Sequence, residues 1–244
     1  MKRFELVYLC AEPFLHPLYQ MVRKRLRAIA RACPETPEIL DVGGRKSHYT
    51  VAVPARITVT DLPRTSAVQH QLNLGINHDI VTQTKSRRSN ISQIMLDDMT
   101  SSHLPDCSFD CVVAVEVLEH VEEDARFVQQ VHRVLKPGGT FLMTTPNGDF
   151  VENTNPDHKR HYTRAGLRSL LASHFTSVNV EYAKKDGLFS DLGFCSWSVR
   201  RPLRTGLGMM GNFVNSIQSA SVAVKEQAHG TLHLIAVAKK GTTS

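Results

Sequence analysis

The chain has 244 residues, 41% of them apolar, enough for a sizeable core in one domain with insertions. Its formal charge of +6 favours anionic partners, but the basic residues fall in separate clusters (23–27, 85–88, 184–185, 200–204) that read as solvated faces and argue against a nucleic-acid track. Cys10, Cys33, Cys107, Cys111 and Cys195 are odd in number and form no CxxC pair, no run reaches transmembrane length, and Glu5, Glu12 and Pro13 interrupt any secretory leader, so a cytoplasmic location is expected.

In chain order, residues 14–32 place Leu15, Leu18, Val22, Leu26 and Ile29 on one helical stripe, with Arg23, Lys24, Arg27 and Arg31 on the other face. Pro34 and Pro37 break this leading helix. Residues 39–42 follow as a short buried strand containing Asp41, and Gly43 with Gly44 forms a tight turn. Residues 57–60 read as a second strand ending at Asp61, a spacing that fits a nucleoside ribose site. Residues 64–90 are polar and read as a helix or a long loop. A third strand, 91–96, leads into Asp97, Asp98 and Met99.

The segment 109–121, FDCVVAVEVLEHV, organises the rest. Its apolar β-branched run, 111–115, reads as a strand buried on both faces that stops at Glu116. If the chain turns helical there, Glu116, Glu119 and His120 share one face at the crevice edge where open α/β sheets bind ligands. Ala125, Val128, Val131 and Leu135 mark a helix ended by the type II turn chemistry of Lys136, Pro137, Gly138 and Gly139. A fifth strand is expected at 140–145, a polar loop from Pro146, a helix at 163–175, and last strands at 178–183 and 232–238. The residues between those two strands are too many for a hairpin and read as an insertion.

Taken together, Asp41 and Gly43, Asp61, Asp98 and Met99, the 104–110 segment LPDCSFD, Glu116 to His120 and the 135–139 segment LKPGG resemble class I S-adenosylmethionine-dependent methyltransferases over residues 37–185. The resemblance implies a doubly wound α/β fold with a seven-stranded, mostly parallel sheet of order 3-2-1-4-5-7-6. It divides the chain into a leading helical cap (1–36), the core (37–185), a helical insertion or substrate cover (186–230) and a last strand with tail (231–244). It also implies that Asp41, Gly43 and Gly44 line the cofactor's methionine moiety, that Asp61 with Leu62 binds the ribose, that Asp98 and Met99 hold the adenine, and that Val115 and Glu116 complete the site. The family pattern D-x-G-x-G-x-G has Arg45 and Ser47 at its later glycine positions here. Either Arg45 meets the cofactor's carboxylate or cofactor binding is weakened.

The ExxEH of Glu116, Glu119 and His120, followed by Thr145, Pro146 and Asn147 and then by Asp157, His158 and His161, looks like the metal-using O-methyltransferases. These comprise enzymes of ubiquinone biosynthesis and enzymes that methylate the terminal 2′-hydroxyl of small RNAs. That resemblance implies Glu116, Glu119, His120 and His158 as ligands for Mg²⁺ or Mn²⁺. The residues alone equally allow a Glu and a His that cap the next helix or orient substrate. An aliphatic hydroxyl is a poor nucleophile at neutral pH, so acids and histidines at the strand tip favour oxygen as acceptor, with His120, His158 and Glu116 as catalytic candidates. The expected acceptor is a small molecule, a lipid or a glycan. RNA 2′-O-methylation is the alternative, although no aromatic-plus-basic platform is present, and a methyltransferase-like binding protein without catalysis is the other.

In the insertion, Phe189, Leu192, Phe194 and Trp197 precede Arg200, Arg201 and Arg204, and Leu207, Met209, Met210, Phe213, Val214 and Ile217 follow as a helical stripe. A lid packed over the crevice is the plainer reading; a peripheral membrane contact through 187–217 is the other.

Overall fold

Alternate residues of the central strands face opposite ways, and both sets are apolar. Leu40, Val112, Ala114, Phe141 and Met143 are fully buried on one side, and Ile39, Cys111, Val113 and Leu142 on the other. Only a sheet covered on both faces satisfies such a pattern. The computed structural model describes residues 1–44, 47–62, 78–193, 198 and 200–242. In chain order the elements are α1 (Arg3–Ala11), a 3₁₀ turn (Glu12–Phe14), α2 (Pro17–Ala32), β1 (Glu38–Val42), β2 (Arg56–Asp61), α3 (His78–Arg87), β3 (Ile91–Leu96) and β4 (Phe109–Val115). A second 3₁₀ turn (Leu118–His120), α4 (Asp124–Val134), β5 (Leu135–Pro146), α5 (Arg164–Ala172), β6 (Ser177–Lys185), α6 (Leu188–Gly193), α7 (Pro202–Ser219), α8 (Val222–Glu226) and β7 (Thr231–Lys239) complete the described chain.

The seven strands form one sheet of order β3-β2-β1-β4-β5-β7-β6. Strands β1 to β5 pair in parallel, and β7 runs antiparallel to both β5 and β6. This is the doubly wound arrangement expected. One face is covered by Phe127, Val128 and Val131 of α4 and Leu167 and Leu171 of α5; the other by Leu18, Val22, Leu26 and Ala30 of α2. Helix α2, within the helical cap of residues 1–36, supplies part of that core layer.

Several expectations need correction. The leading helix starts at Pro17, because the chain before it folds as a 3₁₀ turn and a separate helix, α1, whose sequence has no strong apolar stripe. Arg23, expected on a solvated face, is fully buried. Its Nε meets Glu12 at 2.9 Å, its Nη1 donates to the Tyr49 and Val51 carbonyls, and its guanidinium lies over the Tyr8 ring. Burial of that cation is offset by a carboxylate, two carbonyls and a ring face. In β5, Leu135 lies opposite Phe109 and Thr140 opposite Cys111, so residues 136–139 are extruded as a bulge after α4 and the strand begins five residues earlier than expected. Of the polar stretch 64–90, α3 is a helix; residues 63–77 lie outside the described part. The described cysteines are free thiols, and among the described residues no helix is long and apolar enough to cross a membrane.

Because β6 runs parallel to β1–β5, its end at Lys185 lies at the sheet's carboxyl edge, and α6, α7 and α8 occupy that edge before β7 returns. This is the side on which open α/β sheets bind ligands.

Candidate active site at the carboxyl edge

The turn after β1 is built around glycine. Gly43 has φ +68°, its N–H donates to the Thr60 carbonyl at 2.8 Å, and a Cβ there would lie 2.8 Å from Val117 Cγ2. A Cβ on Gly44 would lie 2.6 and 2.7 Å from the two Asp41 oxygens. Both positions therefore exclude side chains and bring bare backbone to the edge. Asp41 itself is fully buried, accepting from the Tyr49 hydroxyl at 2.8 Å and the Thr50 hydroxyl at 3.1 Å. Burial pushes its carboxyl up to about 6, against the pull of Ser47, Tyr49, Arg88 and Thr50. Arg88, also buried, donates to Thr50 Oγ1 at 2.7 Å and to the Ser47 carbonyl at 3.2 Å. Ser47, which departs from the glycine pattern, thus belongs to a network that braces the turn from below. The Asp41 carboxylate faces that network; Arg45 lies outside the described residues.

At the next two strand tips, Asp61 is half-buried and accepts from the Leu62 N–H at 2.8 Å, and Asp97 N–H donates to the Asp61 carbonyl at 3.3 Å. Leu62 is exposed. The exposed Asp98 carboxylate accepts from the Thr100 N–H at 2.9 Å and the Thr100 hydroxyl at 2.8 Å, a local turn that it closes itself. Met99 turns inward, packed in the cluster that contains Leu40, Val42 and Leu104. Asp61 and Leu62 thus stand at the edge, whereas the Met99 side chain is packed in the core.

At the tip of β4, partly buried Val115 packs on the α2 side of the sheet, and Glu116 takes φ +54°, a left-handed conformation uncommon for a residue with a side chain. The Glu116 carboxylate accepts from the Thr144 hydroxyl at 2.8 Å and meets His233 Nε2 at 3.4 Å, while remaining 29% accessible. Burial pushes its pKa up, but His233 and Thr144 outweigh this and hold it below the usual range.

The chain does not form an α-helix after Glu116 as expected; a short 3₁₀ turn carries Glu119 and His120 instead. That geometry separates Glu116 from the others. Among the described residues, donor atoms of Glu119, His120 and His158 lie within 4.8 Å of one another, and Glu116 is outside this set. Glu119 is fully buried with neither carboxylate oxygen in a hydrogen bond. Burial and the neighbouring Glu116 charge push its pKa well above the usual range.

Hydrogen bonds to carbonyls fix the histidine tautomers, because a carbonyl can only accept. His120 Nδ1 lies 3.1 Å from the Asp157 carbonyl, so in the neutral ring Nε2 keeps its lone pair. His161 Nδ1 donates to the Val151 carbonyl at 2.9 Å, so its Nε2 accepts from His158 Nδ1 at 2.8 Å. His158 is thereby also left with a bare Nε2. Burial, then His120 and His161, lower the His158 pKa and favour this neutral form. The loop bearing His158 is tied down by Lys159 N–H to the Glu119 carbonyl at 2.7 Å, and by Arg160 and the Tyr162 hydroxyl on Asp124.

His16, Tyr19, Lys184 and His233 also reach this edge and escape motif reading. His16 and His233 pack edge to face, with ring centroids 6.4 Å apart; His16 also lies 5.4 Å from the Tyr19 ring. Burial pushes Lys184 down to about 8 and His16 down to about 3. They come from the start of α2 and from the last two strands, segments without a local signature; the positive φ of Lys184 is visible only in three dimensions.

A family model described as a methyltransferase domain matches residues 40–143. A probable S-adenosylmethionine-dependent methyltransferase of Mycolicibacterium smegmatis is 35% identical over 134 residues, covering 52% of this chain and 50% of that protein. The chain therefore spans about half the length of that relative. A ubiquinone biosynthesis O-methyltransferase of Albidiferax ferrireducens is 27% identical over 188 residues, 70% of this chain and 71% of its own. Among solved structures, phosphoethanolamine N-methyltransferase 2 of Haemonchus contortus, in complex with phosphomonomethylethanolamine and S-adenosylhomocysteine, has the same fold at TM-score 0.59 and 15% identity, covering 89% of this chain and 53% of that one.

Proposed function

We infer, from the match of residues 40–143 to a methyltransferase domain and the likeness to a probable S-adenosylmethionine-dependent methyltransferase, that this chain is a class I enzyme of that kind and transfers a methyl group to a hydroxyl oxygen of a small-molecule, lipid or glycan acceptor. The observation that carries the choice of oxygen is the pair of imidazoles of His120 and His158, held by Asp157 and His161, each with a ring nitrogen within 4.8 Å of a carboxylate oxygen of the buried Glu119. A hydroxyl must lose its proton as it attacks, and a neutral imidazole held in one tautomer is placed to take it. Only an amine already in its neutral form would attack without such a base. The O-methyltransferase relative supports the same acceptor atom.

The cofactor, when bound, supplies a methyl already activated by its sulfonium. The residues fit it: the Gly43–Gly44 backbone has no Cβ in the way, and Asp61 stands at the neighbouring strand tip where ribose hydroxyls are recognised. Asp41, Arg88, Ser47 and Thr50 brace that turn through their hydrogen bonds.

A divalent ion also fits. Glu119 is a buried carboxylate with no well-formed hydrogen bond, the Thr145 hydroxyl being its nearby polar neighbour, and one ring nitrogen each of His120 and His158 lies within 4.8 Å of it, a mixed set that suits Mn²⁺ better than Mg²⁺. When bound, the ion would take up the lone pairs of those ring nitrogens, and its lowering of the acceptor hydroxyl's pKa would stand in for proton removal by the imidazoles. The test is incubation with methyl-labelled S-adenosylmethionine and a pool of hydroxylated acceptors, with and without chelator, for wild type and His158→Ala. Label in a methyl ether, lost in the variant, supports the reading; label only in methyl esters or in amines refutes it.

A further inference from the structure

The long helix of the insertion, α7, is inside out for a soluble protein. A surface helix ordinarily turns its apolar stripe to the core. Here the buried residues are Gly208, Gly211, Asn212, Asn215 and Ser219, while Leu203, Leu207, Met210 and Ile217 are 84%, 58%, 55% and 61% exposed. At 100° per residue these four side chains fall within a sector of about 80°, on the far side from the buried set. Of the stripe expected to pack over the crevice, Leu207, Met210 and Ile217 face outward, Met209 and Val214 are half-buried, and Phe213 lies near Phe14 with ring centroids 6.1 Å apart.

This orientation is enforced. Asn212 Nδ2 donates to the Phe14 carbonyl at 3.0 Å, Asn215 Nδ2 donates to the Lys185 carbonyl at 2.8 Å, and Lys185 N–H donates to Ser219 Oγ at 2.9 Å. A Cβ on Gly211 would lie 2.8 Å from Leu192 Cβ, so α6 and α7 touch through glycine. Rolling the apolar stripe inward would break all of these contacts and bury nothing better.

Charge selects what covers the stripe. Within α7 the one charged residue is Arg204, there is no acid, and exposed Arg200 and Arg201 precede it. Exposed Leu188 and Val222 lie in the helices on either side. An apolar stripe of this length flanked by arginines matches an acyl layer beneath anionic headgroups. We propose that α7 lies flat in the surface of an anionic lipid bilayer, Leu203, Leu207, Met210 and Ile217 inserted and Arg200 and Arg201 on the headgroups. The helix packs on Lys185 at the sheet's carboxyl edge, so a bilayer-dissolved acceptor would be presented to that edge; that corollary alone rests on the methyl-transfer reading. Phe194 and Trp197, expected to join the anchor, lie outside the described residues.

The test is flotation of the whole chain with vesicles of equal parts phosphatidylglycerol and phosphatidylcholine, and with phosphatidylcholine alone, which needs no acceptor or cofactor. Wild type should float with the anionic vesicles and remain below with the neutral ones. Leu207→Glu with Ile217→Glu, whose outward positions leave the melting temperature unchanged, should lower the bound fraction on the order of tenfold, and Arg200→Glu with Arg201→Glu should do likewise. Wild type that floats with neither vesicle, or equally with both, overturns the proposal, as does a double-glutamate variant that floats like wild type. A wild-type dimer in light scattering that the leucine–isoleucine variant converts to monomer, without flotation of either, assigns the stripe to a second copy and also overturns it.

Discussion

The Glu116 carboxylate lies 3.4 Å from His233 Nε2, a contact between the tip of β4 and β7 made by a residue whose own backbone sits at φ +54°. Strain of this kind persists where surrounding contacts over-determine it, and the Thr144 hydroxyl and His233 supply those contacts. Comparing Glu116→Ala with Glu116→Gly isolates the strain, since both lose the carboxylate and only glycine adopts positive φ freely. The glycine variant should be the more stable by about 1 kcal/mol in urea unfolding. Equal stability would show that the backbone is relaxed there. The lowered pKa of Glu116 adds a second expectation: its contribution is present above the ordinary carboxylate range and lost as the pH falls through its depressed value, so the advantage of wild type over Glu116→Gln should shrink in acid.

Asp41 has the opposite sign. Its carboxyl is raised from 3.8 to about 6 by burial, so the folded state holds the proton more tightly than the unfolded chain. Stability from the neutral form is therefore lost as the pH climbs from 3.8 to about 6. Between about pH 4 and about pH 7, the stability of Asp41→Asn relative to wild type should rise by about 3 kcal/mol, measured by urea unfolding. A flat difference would mean that Arg88 neutralises the carboxylate completely. Gly44→Ala, whose Cβ would strike that same carboxylate, should cost about 1–3 kcal/mol at any pH.

Much of this arrangement was legible in the sequence. Apolar runs located every strand of the sheet, and the acids at three strand tips marked the carboxyl edge. What stayed hidden depends on contacts between distant segments. Ser47 looks like a missing glycine until Arg88 and Thr50 are seen around it. Arg23 reads as solvated until Glu12 and Tyr8 fold over it. The spacing of Glu116, Glu119 and His120 suggested one helical face, but a left-handed residue followed by a 3₁₀ turn sends Glu116 to His233 and the other two to His158. The stripe of α7 was read correctly as apolar, yet periodicity cannot say which way a helix faces; Asn212 and Asn215 decide that.

At the ribose side, Asp61→Ala should weaken S-adenosylmethionine binding by roughly 1.5–3 kcal/mol, through loss of charge-assisted hydrogen bonds. Calorimetry reads this directly. Unchanged affinity would move the ribose away from the β2 tip.

For the metal, excess chelator should abolish turnover and Mn²⁺ should restore it. Glu119→Gln should lower metal affinity by about 10–100-fold while leaving cofactor affinity near wild type. Full turnover in chelator would leave His120 and His158 as bases acting alone.

The most direct test of the whole account is the chemical position of the transferred methyl in wild type and in a His120→Ala/His158→Ala double variant. Mass spectrometry of the product formed from methyl-labelled S-adenosylmethionine should place the label on oxygen. The double variant should bind the cofactor normally yet transfer at least about 100-fold more slowly. A label on nitrogen or carbon, or a double variant as fast as wild type, would contradict hydroxyl methylation by the histidine pair.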